Sequence, residues 1–148
     1  MKKLLVALLL TLSANGFAQI LEPVKWSTSS NKISDSEYEL VAIASIEPKW
    51  HLYSQYVPEG GPIATSFGFE GNSNYIKKGN TKEGEGHTSD DPIFEMKIKY
   101  FEDKAEFKQR IKLKNKAAFE VKAMVEFMVC DDSRCLPPTE ETLTFLID

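Results

Sequence analysis

The stretch FEVKAMVEFMV, from Phe119 to Val129, alternates two rows of side chains. One row is fully apolar, and the other contains Glu120, Lys122 and Glu126 together with two methionines. Period two is the repeat of a β-strand, in which successive side chains point to opposite faces of the sheet. The pattern predicts a long strand with one face in the hydrophobic core.

The same repeat recurs on both sides of this stretch. Further apolar rows occur in Tyr38 to Ile46, Phe94 to Tyr100, Ala105 to Leu113 and Leu143 to Ile147, and shorter candidate strands are Val24 to Thr28, Trp50 to Tyr56 and Thr65 to Phe69. No helical stripe lies between these segments, so parallel crossover connections are not expected. The sequence predicts an all-β, immunoglobulin-like antiparallel sandwich, with a closed barrel as the alternative.

The amino terminus has the layout of a secretory signal peptide. Lys2 and Lys3 precede an apolar run from Leu4 to Leu12, and small residues follow up to Ala18. The run is shorter than the roughly 20 residues that cross a bilayer as a helix. We expect residues 1–18 to be removed on export, which would leave residues 19–148 as a single periplasmic domain without a membrane span.

The charge balance limits the choice of partners. The formal net charge of the chain is −4, and removal of the two signal-peptide lysines makes it −6. This sign argues against nucleic acid or an anionic membrane as the main partner.

One segment has the composition of a long surface loop. Between Lys77 and Pro92 the sequence KKGNTKEGEGHTSDDP contains no apolar side chain apart from the proline itself. Loops of this length are uncommon in compact domains, and those that occur are often lids or binding loops. The composition therefore predicts a loop, either a functional one or a solvated connection.

The two cysteines, Cys130 and Cys135, follow directly on the strand quoted above. After export such a pair is expected to form a disulfide, and the polar link Asp131 to Arg134 predicts a tight bend between them. A loop this short constrains the unfolded chain by only about 2 kcal/mol, which makes it a weak staple. Strand parity predicts that Cys130 points outward, where another thiolate can reach its sulfur.

From the residues alone, two interpretations of the pair stay open. The disulfide works in thiol–disulfide exchange, or it pins the hairpin of a non-enzymatic binding sandwich. Zinc is disfavoured because His51 and His87 lie far apart and do not give paired ligand spacing. A carrier function for the acidic segment is disfavoured too, because that segment lacks the oxygen-ligand spacing of a calcium loop. We expect no metal and no cofactor beyond the cysteines.

The block CDDSRCLPPT, from Cys130 to Thr139, resembles the N-terminal periplasmic domain of the thiol:disulfide interchange protein DsbD, also known as the disulfide-bond corrector domain family. The aromatic segment from Trp50 to Tyr53 matches as well, and the resemblance extends over the whole expected mature chain. It implies an immunoglobulin-like sandwich that acts as a protein-disulfide reductase. Electrons would come from a thioredoxin-like domain, here expected on a separate chain, and pass to thioredoxin-like periplasmic oxidoreductases in transient complexes.

The resemblance also implies roles for individual residues. By position, Cys130 and Cys135 are the redox pair, and Cys135 forms the mixed disulfide with partners. His51 and Tyr53 match aromatic positions that flank the pair. The link between the cysteines is one residue shorter than in the best-studied relatives.

A cap loop over the disulfide is a further implication of the resemblance. By position it runs from Lys82 to Pro92, and its acidic side chains are Glu85, Asp90 and Asp91. No aromatic residue other than His87 lies inside it, although the family uses an aromatic lid. Phe94 follows shortly after the segment, and we expect it to lie in the core.

Overall fold

The computed structural model describes residues 21–148, so the predicted signal peptide at residues 1–18 lies outside the described residues. The described residues form strands and turns, and none of them belongs to a helix that is long and apolar enough to cross a membrane. The strands within this range are β1 (Val24–Ser34), β2 (Glu37–Ile46), β3 (His51–Tyr53), β4 (Ser66–Phe69), β5 (Tyr75–Glu83), β6 (His87–Asp91), β7 (Met96–Phe101), β8 (Lys104–Leu113), β9 (Phe119–Phe127), β10 (Val129–Cys130) and β11 (Thr139–Ile147).

These strands form three antiparallel sheets. The first has the order β1-β2-β8-β5, the second β10-β3-β7-β6 and the third β11-β9-β4. Inward-facing rows of the first and third sheets pack against each other in one hydrophobic core, and the inner face of the second sheet extends that core. The fold is an immunoglobulin-like β-sandwich, as the alternation predicted. The alternative of a closed barrel is wrong, because the strands form separate sheets.

The predicted apolar rows supply the main core. Alternate positions of β2, β8, β9 and β11 are buried, as the period of two requires. Trp26 of β1 is partly buried and packs against this core, with its ring 5.6–5.9 Å from the rings of Phe67, Phe107 and Phe127. Aromatic packing of this kind adds to the area that the rings bury. The two layers are therefore held together mainly by apolar contact.

The predicted loop from Lys77 to Pro92 is wrong, because β5 and β6 occupy most of it. Each is the edge strand of its sheet, and an edge strand carries polar and charged residues that protect its open side. β5 also changes register between Lys78 and Lys82. A polar edge strand with an irregular register leaves no alternating apolar row, so the pattern that revealed the other strands is missing here.

Candidate redox site

The two cysteines are joined in a disulfide at the tip of a short hairpin. Their Cα atoms lie 3.9 Å apart, and the two residues form an isolated antiparallel bridge. Backbone hydrogen bonds close the hairpin on both sides of the bridge, from Asp131 N to Arg134 O and from Leu136 N to Val129 O, each 2.9 Å long. The tight bend predicted for the link is thus confirmed.

Cys130 is only 1% exposed, so the prediction that it points outward is wrong. The strand predicted to run through to Val129 ends at Phe127, and β10 pairs with β3 of the second sheet instead. Val129 still continues the apolar row of β9 into the main core, so Cys130 is on the opposite face of the chain as parity requires, but Tyr53 and Ile98 pack on that face and shield it from solvent. Cys135 remains partly exposed. The bridge therefore joins one shielded cysteine to one that solvent can reach.

The second sheet places the disulfide and its neighbours on one face. Residues that are partners in an antiparallel ladder point to the same side. Cys130 is opposite His51, Tyr53 is opposite Tyr100, and Tyr100 is in turn opposite His87. The alternate row, Val129, Leu52 and Phe101, points into the main core. The period of two in three short strands thus separates the site from the core.

A small set of apolar side chains surrounds the disulfide, and we call it the disulfide cluster. Its buried members are Cys130, Tyr53 and Ile98. Its partly buried members come from the surrounding turns and strand ends, and they are Val57, Phe94, Met96, Tyr100, Met128 and Cys135.

Tyr53 and Asp91 form a buried hydrogen bond within this region. The Tyr53 hydroxyl donates to Asp91 Oδ2 at 2.8 Å. Burial raises the pKa of Tyr53 well above its usual range, and the hydrogen bond to Asp91 raises it further. The tyrosine therefore stays protonated and remains the donor at physiological pH.

The other oxygen of Asp91 shapes the turn that follows β6. Oδ1 accepts hydrogen bonds from Ile93 N at 2.9 Å and Phe94 N at 3.0 Å. This turn brings the Phe94 ring edge-on to Tyr53, with centroids 6.0 Å apart. Phe94 thus lies in the disulfide cluster and not in the main core, contrary to expectation. Asp91 thus connects the Tyr53 hydroxyl to the turn that carries Phe94.

The two other predicted acidic residues do not join this arrangement. Asp90 is on the opposite face of β6, and its carboxylate lies 3.6 Å from Lys97 Nζ with the side chain 80% exposed. Glu85 lies in the connection between β5 and β6, outside the disulfide cluster.

His51 and His87 meet at a single carboxylate at one end of the site. The His51 ring stacks on Tyr100 with centroids 4.3 Å apart, and its Nε2 lies 3.1 Å from Glu102 Oε1. His87 Nε2 lies 3.9 Å from the other oxygen of Glu102. Tyr100 and Glu102 could not be predicted as site residues from the sequence, because only the ladder between β3, β6 and β7 brings them here. Across residues 21–148 no group of three or more histidine, cysteine or acidic side chains has the geometry of a metal site.

The link between the cysteines is ordered by Asp131. Its Oδ1 accepts hydrogen bonds from Ser133 N, Ser133 Oγ and Arg134 N, each 2.8 Å long. These bonds lower the pKa of the Asp131 carboxyl to about 2, and the hydrogen bond from the Ser133 backbone N–H has the largest effect. Arg134 Nε lies 3.4 Å from Asp131 Oδ2, and the guanidinium is 5.9 Å from the centre of the Trp50 ring.

A second loop borders the disulfide cluster between β3 and β4. Gly61 allows it to approach closely, since a Cβ at this position would lie 2.7 Å from Val57 Cγ1 and 3.3 Å from Met96 Sδ. Farther along, Ile63 N donates to Met128 Sδ at 3.5 Å. The disulfide thus lies in a shallow apolar setting with Cys135 at its open side.

These features define a class of protein: an immunoglobulin-like domain with a short-loop disulfide that joins a buried cysteine to a partly exposed one. Comparison with protein families gives the particular group. The chain belongs to the family described as thiol:disulfide interchange protein DsbD, N-terminal, whose family model matches residues 18–147. It is therefore a thiol–disulfide interchange domain.

Solved structures show the same fold. The N-terminal periplasmic domain of ScsB from Proteus mirabilis is 15% identical with a TM-score of 0.58, and the match covers 84% of this chain and 48% of that one. The chain thus spans about half the length of that solved domain. The reduced N-terminal domain of DsbD from Neisseria meningitidis is 12% identical with a TM-score of 0.54, and the match covers 88% of this chain and 92% of that one. A comparison with curated protein sequences found no match.

Proposed function

We propose that Cys130 and Cys135 are the redox-active pair of a periplasmic protein-disulfide reductase. Electrons enter from a thioredoxin-like dithiol and leave to thioredoxin-like oxidoreductases in transient complexes. The observation that carries this proposal is the unequal exposure of the bonded residues, since Cys130 is 1% exposed and Cys135 is partly exposed. A disulfide with one accessible end directs exchange to a single sulfur.

Reduction of the domain takes two exchange steps. A donor thiolate attacks the Cys135 sulfur, the Cys130–Cys135 bond breaks, and the Cys130 sulfur leaves and takes up a proton. The donor's second thiol then loses its proton and attacks the mixed disulfide, which gives an oxidised donor and two thiols in the domain. Delivery runs in reverse, with Cys135 attacking the acceptor disulfide and Cys130 resolving the mixed disulfide.

Four neighbouring residues support the pair in this proposal. Asp91 holds the turn after β6 by its bonds to backbone N–H groups, and Tyr53 fixes Asp91 from the floor of the site. Phe94, edge-on to Tyr53 in the disulfide cluster, would then serve as the aromatic lid that the resemblance implies. His51, stacked on Tyr100, supports the strand that pairs with Cys130.

Trapping of mixed disulfides tests the roles of the two sulfurs. A Cys130→Ala variant lacks the resolving sulfur, so it should accumulate a covalent complex with a thioredoxin-like partner on a non-reducing gel. Cys135→Ala should trap nothing, and the double variant controls for non-covalent association. If Cys135→Ala traps and Cys130→Ala does not, the assignment of roles is wrong. If neither traps a partner from a periplasmic extract, a binding sandwich with a structural disulfide is the better account.

Export is part of the same proposal. The charged, apolar and small-residue sequence of residues 1–18 supports a cleavable signal peptide, with the mature single domain beginning at Gln19. Mass spectrometry of protein from a periplasmic fraction should find this new amino terminus, and an intact Met1 there would contradict it.

A further inference from the structure

The short link of the hairpin is held by bonds that do not involve the sulfurs. All three hydrogen bonds to Asp131 Oδ1 come from Ser133 and Arg134, and the backbone bond from Asp131 N to Arg134 O closes the same four residues. A side-chain carboxylate that accepts from backbone N–H groups two and three residues ahead is a self-contained turn. Nothing in this turn has to break when the disulfide is reduced.

A turn that persists after reduction changes the redox equilibrium. If the link is ordered, the two thiols stay close, and their effective concentration for re-forming the bond is high. If the link is disordered, the chain loses conformational entropy each time the bond closes. Order in the link therefore favours the disulfide over the dithiol.

We propose that Asp131 is a positioning residue that sets the reduction potential of the disulfide by keeping the link folded in both redox states. The proposal rests on the function proposed above, and it assigns to the link a part in the chemistry beyond joining the cysteines. The carboxylate acts by holding the turn and takes no direct part in the exchange reaction.

The charge of Asp131 is a separate effect that points the same way. A nearby carboxylate disfavours thiolates, because it repels their negative charge. The guanidinium of Arg134, 3.4 Å from Asp131 Oδ2, opposes that repulsion. Since the low pKa of Asp131 keeps it ionised at pH 7, an uncharged isostere can separate the turn from the charge.

Equilibration with glutathione measures the proposed effect. Two glutathione thiols reduce the bond, so that Cys130 and Cys135 become thiols and the glutathione becomes its disulfide. In Asp131→Ala the equilibrium constant for this reduction should rise about tenfold, which corresponds to about 30 mV toward a more oxidising potential. In Asp131→Asn the side-chain oxygen still accepts the bonds, so the constant should stay within about threefold of wild type.

Two further variants complete the design. Ser133→Ala removes one of the three donors and should give an intermediate shift. Asp132→Ala removes the neighbouring exposed carboxylate without touching the turn and is the matched control for charge, expected to shift the constant no more than Asp131→Asn does. Urea unfolding of each oxidised variant separates a changed potential from a loss of fold. If Asp131→Ala is unstable, Asp131→Asn and Ser133→Ala still decide between turn and charge.

The outcomes separate this proposal from the one it rests on. Equal constants for wild type and Asp131→Ala, or an Asp131→Asn shift as large as that of Asp131→Ala, would overturn the role of the turn. A wild-type disulfide that glutathione buffers leave unreduced, as is usual for structural disulfides, would instead overturn the redox function. In that case dithiothreitol buffers still compare the variants, so the two failures remain distinct.

Discussion

The main core and the disulfide cluster are built in different ways. Within residues 21–148, the main core joins 21 buried side chains from all three sheets. The disulfide cluster has three buried members, and its remaining members are partly exposed. Since hydrophobic stabilisation follows the apolar area removed from water, most of the stability belongs to the core. The cluster has too little buried area to hold its own shape.

Hydrogen bonds hold the disulfide cluster in place where its small buried apolar area does not. Tyr53 and Asp91 hold the turn with Phe94, and Asp131 holds the link between the cysteines. In the main core a buried polar group, Gln109, instead secures the irregular part of β5 by donating to Lys78 O and accepting from Thr81 Oγ1. This fold therefore separates the residues that stabilise it from those that surround the disulfide. Substitutions in the two regions should therefore move different observables.

The largest effect is expected from truncation in the main core. Phe107 is 1% exposed and packs against Trp26, Phe67 and Phe101. Phe107→Ala should lower the free energy of unfolding by about 3–5 kcal/mol, from lost transfer energy and the cavity left behind. Urea denaturation followed by tryptophan fluorescence measures it. The reduction potential of the folded fraction should not change, and a loss below about 1 kcal/mol would show that the core is not the source of stability.

A smaller loss of stability, accompanied by a change in exchange, is expected at the polar bonds of the cluster. Asp91→Ala leaves the buried Tyr53 hydroxyl without its acceptor and should cost about 1–3 kcal/mol. It also frees Phe94, so glutathione should reduce the disulfide faster. Stopped-flow reduction and urea denaturation measure the two effects.

The neighbouring carboxylate provides the control for that experiment. Asp90 is on the same strand but exposed on the opposite face, so Asp90→Ala should change stability by less than about 0.5 kcal/mol and leave the exchange rate unchanged. A double-mutant cycle with Tyr53→Phe isolates the coupling between hydroxyl and carboxylate. Absence of coupling would mean that Tyr53 does not position the turn.

Removal of the disulfide itself should lower the free energy of unfolding by less than Phe107→Ala does, and by less than the upper end of the range expected for Asp91→Ala. Replacing both Cys130 and Cys135 by alanine should cost no more than about 2 kcal/mol, because the bridge closes so short a loop. Near-ultraviolet circular dichroism should show an intact sandwich, and urea denaturation gives the cost. Unfolding of the double variant at room temperature would favour a structural role for the bridge and contradict the redox proposal.

The sequence predicted the main core well because the core follows one physical rule. Wherever a strand has one dry and one wet face, alternation shows it, as in β2, β8, β9 and β11. The edge strands β5 and β6 escaped because their exposed positions need no apolar row. The burial of Cys130 escaped because the side chains that cover its face, among them Tyr53 and Ile98, come from β3 and β7, and alternation within one strand does not encode them.

The candidate site was predicted less completely, since ladders between strands distant in sequence assemble it. The cysteine pair and its tight bend could be inferred from spacing, and resemblance added Tyr53, His51 and Asp91. Phe94 is predicted to lie in the core because it continues the apolar row Met96, Ile98 and Tyr100, but that whole row faces the disulfide cluster, which alternation alone does not distinguish from the main core.

The smallest expected effect concerns Asp131 and acid, and its sign follows from the direction of the pKa shift. The carboxyl has a pKa of about 2 in the folded oxidised protein against an ordinary 3.8. A group whose pKa is depressed on folding contributes stability that is complete above its unfolded pKa and is lost as the pH falls through its folded pKa. The contribution of Asp131 should therefore persist down to about pH 4 and disappear between about pH 4 and pH 2.

Comparison with Asp131→Asn isolates this loss from that of every other carboxyl group. The remaining acids titrate in both proteins, so they cancel when the urea midpoints of the two are subtracted at each pH. The difference between the two urea midpoints should be constant above pH 5. Below pH 4 the midpoint of wild type should fall relative to that of Asp131→Asn, because only wild type loses an ionised acceptor. A carbon-13 carboxyl titration of wild type should place the Asp131 midpoint near 2, and Ser133→Ala should move it upward, since that variant loses the Ser133 Oγ donor. A midpoint near 3.8 in wild type would mean that the turn around Asp131 is not formed in solution, and the link would then be ordered by the disulfide alone.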